Sequence, residues 1–74
     1  MATKKELCVQ IVEGCKWARP QLQKAIKEAE KNNETWKAWI LRSGEFLVND
    51  AEHNPERYID HAEDFLNWLH AQFN

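Results

Sequence analysis

The 74-residue sequence predicts an all-α fold, a small bundle of three to four helices that a second copy of the chain completes. Apolar residues recur with the helical period in every segment, and no strand-like alternation persists over five residues. The chain has only two Gly and two Pro, with 43% hydrophobic and 30% charged residues, which argues against disorder. Its length favours one helical domain over residues 1–74, whose small core often needs further support.

The first predicted helix covers about residues 4–18. Thr3 and Glu6 have the spacing of a capping box, which satisfies free backbone amides at a helix start. The apolar residues of this segment share an arc of about 140°: Leu7, Cys8, Ile11, Val12, Cys15 and Ala18. The two cysteines lie about 10 Å apart along the axis, so we expect reduced core residues rather than a disulfide. Pro20 is expected to end this helix, because proline disfavours helical backbone at the preceding residue.

A second helix is predicted from Pro20 to about residue 31, with a thin apolar face. Three lysines form a stripe on its opposite face: Lys24, Lys27 and Lys31. Asn32 and Asn33 favour a break after it, and Asn33 is a good cap for a following helix. Yet a 4-3-4-3 spacing of apolar positions across the join suits one continuous helix about 43 Å long. Residues 20–48 are therefore one helix or two, and we favour the break.

The third predicted helix, residues 34–48, is apolar over about 220° of its circumference. A one-sided surface helix needs only ~100° or somewhat more. One stripe contains Trp36, Trp39, Ile40, Phe46 and Leu47, and we expect its tryptophans to fill the core. A second stripe, displaced by about 100°, contains Leu41 and Val48 and is expected to meet a second chain.

Residues 49–53 are predicted to form a polar turn before a fourth helix. Asn54 is a good cap and Pro55 suits the first helical position, so this helix is expected to run to about residue 72. Its core face contains Tyr58, Ile59, Ala62, Phe65, Leu66, Leu69 and Phe73. His61 and Trp68 are seven residues apart on the flank of that face, so they are expected to form one contact patch.

No pattern in the sequence points to an enzyme, a metal site or a cofactor. Both cysteines lie in the first helix and all three histidines lie beyond residue 52, so nothing places a nucleophile beside a base. CxxC and HExxH are absent, and two glycines leave no phosphate loop. No apolar run approaches the ~20 residues of a membrane span. Without a signal-peptide core, a cytoplasmic location is expected.

Four tryptophans give the strongest functional signal, because tryptophan is enriched in binding hot spots. The residues predicted to meet a partner or a second copy are Trp17, Leu41, Val48, His61 and Trp68. The predicted function is a non-enzymatic protein-interaction module, a regulator or inhibitor of another cytoplasmic protein, in a size class that includes phage-encoded modulators. The predicted surface is aromatic with an acidic rim, and the chain is expected to be a homodimer.

Charge leaves two alternatives open. Residues 1–42 carry nine basic and five acidic side chains, whereas residues 43–74 carry one and seven. The lysine stripe of the second predicted helix would suit a nucleic-acid-associated regulator, but Glu28 and Glu30 interrupt it and the net charge is −2. A structural subunit of a larger complex is the other alternative. Steep weakening by salt would distinguish phosphate binding from an aromatic interface.

Overall fold

The computed structural model describes residues 3–72, which form three α-helices and one 3-10 helix. They are α1 (Lys4–Lys31), α2 (Thr35–His53), the 3-10 helix (Pro55–His61) and α3 (Ala62–Ala71). No strand occurs in this range, so the all-α prediction is confirmed. Phe73, predicted for the core, lies outside the described residues. No helix in residues 3–72 is long and apolar enough to cross a bilayer.

The helix α1 continues through Pro20, so the predicted division into helices 4–18 and 20–31 is wrong. Pro20 is exposed and removes one backbone donor, while the side-chain amide of Gln21 donates to the carbonyl of Trp17 at 3.2 Å. Buried residues continue along one face on both sides of Pro20: Ile11, Cys15, Ala18, Leu22, Ile26 and Ala29. Packing along this whole face outweighs the single lost hydrogen bond, which is why the helix persists.

Both predicted boundaries of α1 have capping geometry. The hydroxyl of Thr3 accepts from the amide of Glu6 at 3.2 Å, which confirms the predicted N-cap. At the other end, Asn33 has φ 60° and its amide donates to Glu30 at 3.1 Å, while the amide of Glu34 donates to Ala29 at 2.8 Å. These two bonds form a Schellman motif, so the predicted break is confirmed. Asn33 terminates α1 instead of capping α2, whose N-cap is Glu34.

The helix α2 runs antiparallel to α1 and includes residues 49–53, so the predicted polar turn there is wrong. Arg19 of α1 donates to Asn49 at 2.8 Å and forms an ion pair with Glu52. Ala51 lies fully buried between these two polar residues. As a helix, this polar segment places Asn49 and Glu52 against α1 and Ala51 in the core. These contacts stabilise the helix over the predicted turn.

The region predicted as one fourth helix is a 3-10 helix followed by α3. Asn54 precedes it without capping it, because the side-chain amide of Asn54 donates to the carboxylate of Asp50 at 3.2 Å. The core is shared by all three α-helices, and its fully or nearly fully buried members are Ile11, Cys15, Ala18, Leu22, Val48, Ala51, Ala62, Phe65 and Leu69. With 10 residues against 28 in α1, α3 covers only part of the hairpin that α1 and α2 form. The overall extents are 44 × 22 × 17 Å.

Candidate protein-contact surface

The helix α2 carries two apolar faces, and the sequence assigned them the wrong way round. Ala38, Val48 and Ala51 are buried against the rest of the chain, and Leu41 and Leu47 pack partly buried beside them. The tryptophans expected in the core point outward instead, with exposed fractions of 72% for Trp36 and 60% for Trp39. Ile40 and Phe46 of the same stripe are 48% and 79% exposed. We call these four residues the aromatic stripe.

Small residues explain why this arc faces outward. Two antiparallel helices joined by a short loop approach to 8–10 Å, a separation set by the side chains between them. Ala38, Gly44 and Ala51 lie on the inner side of α2 or at its edge and allow that approach. A face lined by tryptophan would hold the helices further apart and would leave voids beside Ala18 and Ala29 of α1. The small residues therefore face inward, and the wide rings are left in solvent.

The rings of the aromatic stripe are ordered against one another. Trp36 and Trp39 stack with centroids 5.3 Å apart and an interplanar angle of 23°. At 100° per residue, the four members of the stripe fall within about 120° of the helix circumference. Trp39, Arg42, Ser43 and Phe46 line a shallow hollow in its middle. The stripe is therefore a continuous apolar surface with a depression between protruding rings.

Polar groups around the stripe already have partners. The hydroxyl of Ser43 donates to the carbonyl of Trp39 at 3.2 Å, so the only polar side chain inside the stripe is satisfied within its own helix. Arg42 pairs with Glu30 of α1 at 2.5 Å. Covering the stripe would thus bury no hydroxyl that lacks an acceptor, which removes a common penalty for forming a contact.

An apolar cleft of about 280 Å³ adjoins the stripe between α1, α2 and the end of α3. Its lining residues are Leu22, Ile40, Leu41, Ser43, Gly44, Leu47, Trp68 and Gln72. Trp68 is partly buried, and a Cβ added at Gly44 would lie 3.5 Å from its ring. Its ring also lies 6.0 Å from that of Phe65. Trp68 therefore packs on its own chain instead of standing free on the flank of the helix.

The other predicted contact residues have mixed positions. Val48 is 0% exposed in the core of the chain, and Leu41 is partly buried against that core, so both serve intramolecular packing. Trp17 is 42% exposed and lies 4.7 Å from the ring of His70. His61 is exposed, but it ends the 3-10 helix with a backbone (φ −128°, ψ 28°) that is not α-helical, so the seven-residue phase that would align it with Trp68 is lost.

Sequence reasoning missed the outward position of Trp36, Trp39 and Phe46. It did detect the excess apolar circumference of this helix, which is the signal that one arc had to remain uncovered by the chain. The small residues indicate which arc stays uncovered. The arc with Ala38 and Ala51 suits close helix packing, and the arc with the aromatic rings does not.

The polar clusters of the fold have structural roles. The hydroxyl of Tyr58 donates to Asp50 at 2.5 Å, which lowers the pKa of Asp50 and raises that of Tyr58 to about 12. The hydrogen bond from Arg19 lowers the pKa of Glu52. Burial raises the pKa of the Cys15 thiol to about 11, which suppresses its reactivity at neutral pH. In the part of the chain that the structure describes, no three His, Cys, Asp or Glu residues are placed to hold a metal ion.

No protein family, curated protein or solved structure matches this chain. The exposed aromatic stripe of α2, with its satisfied polar groups, is therefore the feature from which a function is argued.

Proposed function

We propose that the chain is a non-enzymatic protein-interaction module whose contact surface is the aromatic stripe of α2. The observation that carries this proposal is the exposure of Trp36, Trp39, Ile40 and Phe46 on one side of one helix. Taking ~200 Å² for a fully exposed aromatic side chain, the three rings alone present roughly 400 Å². The largest apolar patch on a typical monomer is about 300–600 Å² and is often functional, so a patch of this size is a candidate interaction site.

The composition and order of the stripe support binding to protein. Tryptophan is the residue type most enriched in interface hot spots, and two of them lie side by side here. Stacking of Trp36 on Trp39 limits their rotamers before any partner arrives, so less side-chain entropy is lost on binding. The ion pairs Arg42–Glu30 and Lys37–Glu34 lie around the stripe and supply the polar rim that interfaces commonly have.

In this proposal the chain is a regulator or inhibitor in the cytoplasm, and the stripe is the surface through which it contacts a protein partner. The same stripe would also serve a structural subunit of a larger complex, and the two roles differ only in the consequence of binding. The nucleic-acid alternative has less support. Lys24, Lys27 and Lys31 are exposed on α1, but Glu28 and Glu30 are exposed among them.

Site-specific photo-crosslinking in the cells that express the chain tests this proposal. A photoreactive phenylalanine analogue replaces Phe46 in the stripe or, as a control, the exposed Asp60 on the 3-10 helix. We expect a discrete adduct from position 46, none from position 60, and loss of the adduct when Trp39→Ser is added. Equal adducts from both positions, or none from position 46, would refute a contact surface at the stripe.

A further inference from the structure

We infer that the occupant of the aromatic stripe is a second copy of this chain, paired antiparallel along α2 with Ser43 at the twofold axis. This inference rests on the proposed function and names the partner at the same surface. It joins two helical hairpins into one assembly in which each α2 is covered on both of its apolar faces.

The shape of the stripe suits pairing with itself. A twofold interface brings the same patch of both copies together, so protrusions must match depressions on the same surface. In the proposed register the small Ser43 faces its own equivalent at the axis, which leaves room for the rings of Trp39 and Phe46 beside it. With Ser43 on the axis, position 46 of one copy lies opposite position 40 of the other, so Phe46 meets Ile40.

Ser43 also removes the two usual obstacles to close approach at such an axis. Its side chain is small, so two α2 helices can pack closely at their crossing point. Its hydroxyl donates to the carbonyl of Trp39, and burial at the axis leaves that donor satisfied.

Charge along the molecule favours the antiparallel orientation. The loop end of the hairpin, residues 27–43, carries four basic and three acidic side chains. The opposite end, residues 3–26 and 44–72, carries six basic and nine acidic side chains. Antiparallel pairing sets the slightly positive end of one copy beside the negative end of the other, whereas parallel pairing sets the two negative ends together.

The available area reaches the minimum that a specific dimer needs when both stripes are fully covered. With Ile40 included, the stripe presents roughly 500 Å² in each copy, taking ~200 Å² for each exposed aromatic side chain. Pairing two stripes therefore buries about 1,000 Å² in total, the lower bound for a specific interface. Because α3 covers only part of the hairpin, a second copy of the chain has access to α2 beyond the end of α3.

Sedimentation equilibrium over a range of protein concentrations is the first test. We expect wild-type protein at tens of micromolar to have about twice the 8.8 kDa mass of one chain. The double variant Trp39→Ser/Phe46→Ser should associate at least roughly tenfold more weakly with an unchanged helical spectrum. Val9→Ser is the matched control, because Val9 is 52% exposed on α1 outside the stripe. It should associate as wild type does.

Disulfide trapping tests the orientation. In a Cys8→Ala background, the thiol of Ser43→Cys would meet its equivalent across the axis, and oxidation should give a covalent dimer. The thiols of Trp36→Cys lie on the same stripe but about 21 Å apart along the axis in this arrangement, too far to bond. Cys15 does not interfere, since it is 0% exposed. Efficient trapping through Trp36→Cys, in protein that sediments as a dimer, would overturn the antiparallel arrangement.

The outcomes separate this inference from the proposed function. The wild-type chain could stay monomeric at high concentration and still give an adduct from position 46 to a different protein. That result would overturn the second copy as occupant but support the stripe as a contact surface. An adduct of twice the chain mass supports the stripe as the contact surface and the second copy as its occupant. A monomer with no adduct from position 46 overturns both.

Discussion

Replacing Trp68 by alanine distinguishes a core role from a contact role for this residue. In the structure, its ring packs over Gly44 of α2 and beside Phe65 of α3, and forms one wall of the cleft next to the aromatic stripe. The sequence alone predicted a free-standing contact residue, for which truncation would leave the melting point nearly unchanged. The structure predicts a loss of fold stability instead.

The size of the loss follows from the contacts of the ring. Truncating a fully buried Trp costs about 3–5 kcal/mol. Because Trp68 is only partly buried and lines an open cleft, we expect about 2–4 kcal/mol. A chain of this length has a total unfolding free energy of roughly 4–11 kcal/mol. The substitution therefore removes a large share of the stability and should lower the melting temperature by at least about 8 °C, since ~1 kcal/mol shifts a small domain by about 4–8 °C.

Urea denaturation followed by circular dichroism measures this loss. It is run at low micromolar concentration, so that self-association adds little to stability. Trp39→Ala is the matched control, because Trp39 is the same residue type but is 60% exposed. It should change the unfolding free energy by no more than about 0.5 kcal/mol. A Trp68→Ala protein as stable as the Trp39→Ala protein would show that the ring of Trp68 does not hold α3 on the hairpin.

Three further predictions concern the helices and the Tyr58 hydrogen bond. Pro20→Ala restores a backbone donor inside α1 and should raise the unfolding free energy by about 1–3 kcal/mol in urea; an unchanged value would contradict a continuous α1. Gly44→Ala should stabilise by up to about 1 kcal/mol, because its Cβ has room 3.5 Å from a neighbouring ring. Gly14→Ala should gain less in the same assay, since its Cβ would lie 2.9 Å from a leucine methyl. The pKa of Tyr58 is raised from 10.0 to about 12, so its contribution to stability is present below pH 10 and lost as the pH rises through about 12. Tyr58→Phe should remove this component of the stability–pH curve; an identical alkaline decline in both proteins would contradict the bond to Asp50.

Much of the local structure could be read from the sequence. The N-cap at Thr3 and the break at Asn33 were predicted, because both depend on residues within a few positions of the boundary. Helix continuity across Pro20 and across residues 49–53 could not be read in this way. Both segments are held as helix by contacts with residues distant in sequence, such as the bond between Arg19 and Asn49.

The candidate site shows the same division. Its helix was identified as unusual from its apolar circumference, yet of the two contact residues chosen on it the fold buries Val48 and partly buries Leu41. Periodicity places apolar residues on arcs of a helix, but it does not say which arc meets the neighbouring helix.

The sequence by itself determined an all-helical chain, where α1 begins and where it ends, and that α2 carries more apolar surface than one side can bury. These features follow from backbone capping and from the helical period, which are local. Only the tertiary structure decided that Ala38, Val48 and Ala51 face the core while Trp36, Trp39 and Phe46 face solvent. The reason is steric, because the separation of two packed helices is set by all the side chains between them together. Small residues on α1 and α2 match one another only when the tryptophans are turned away.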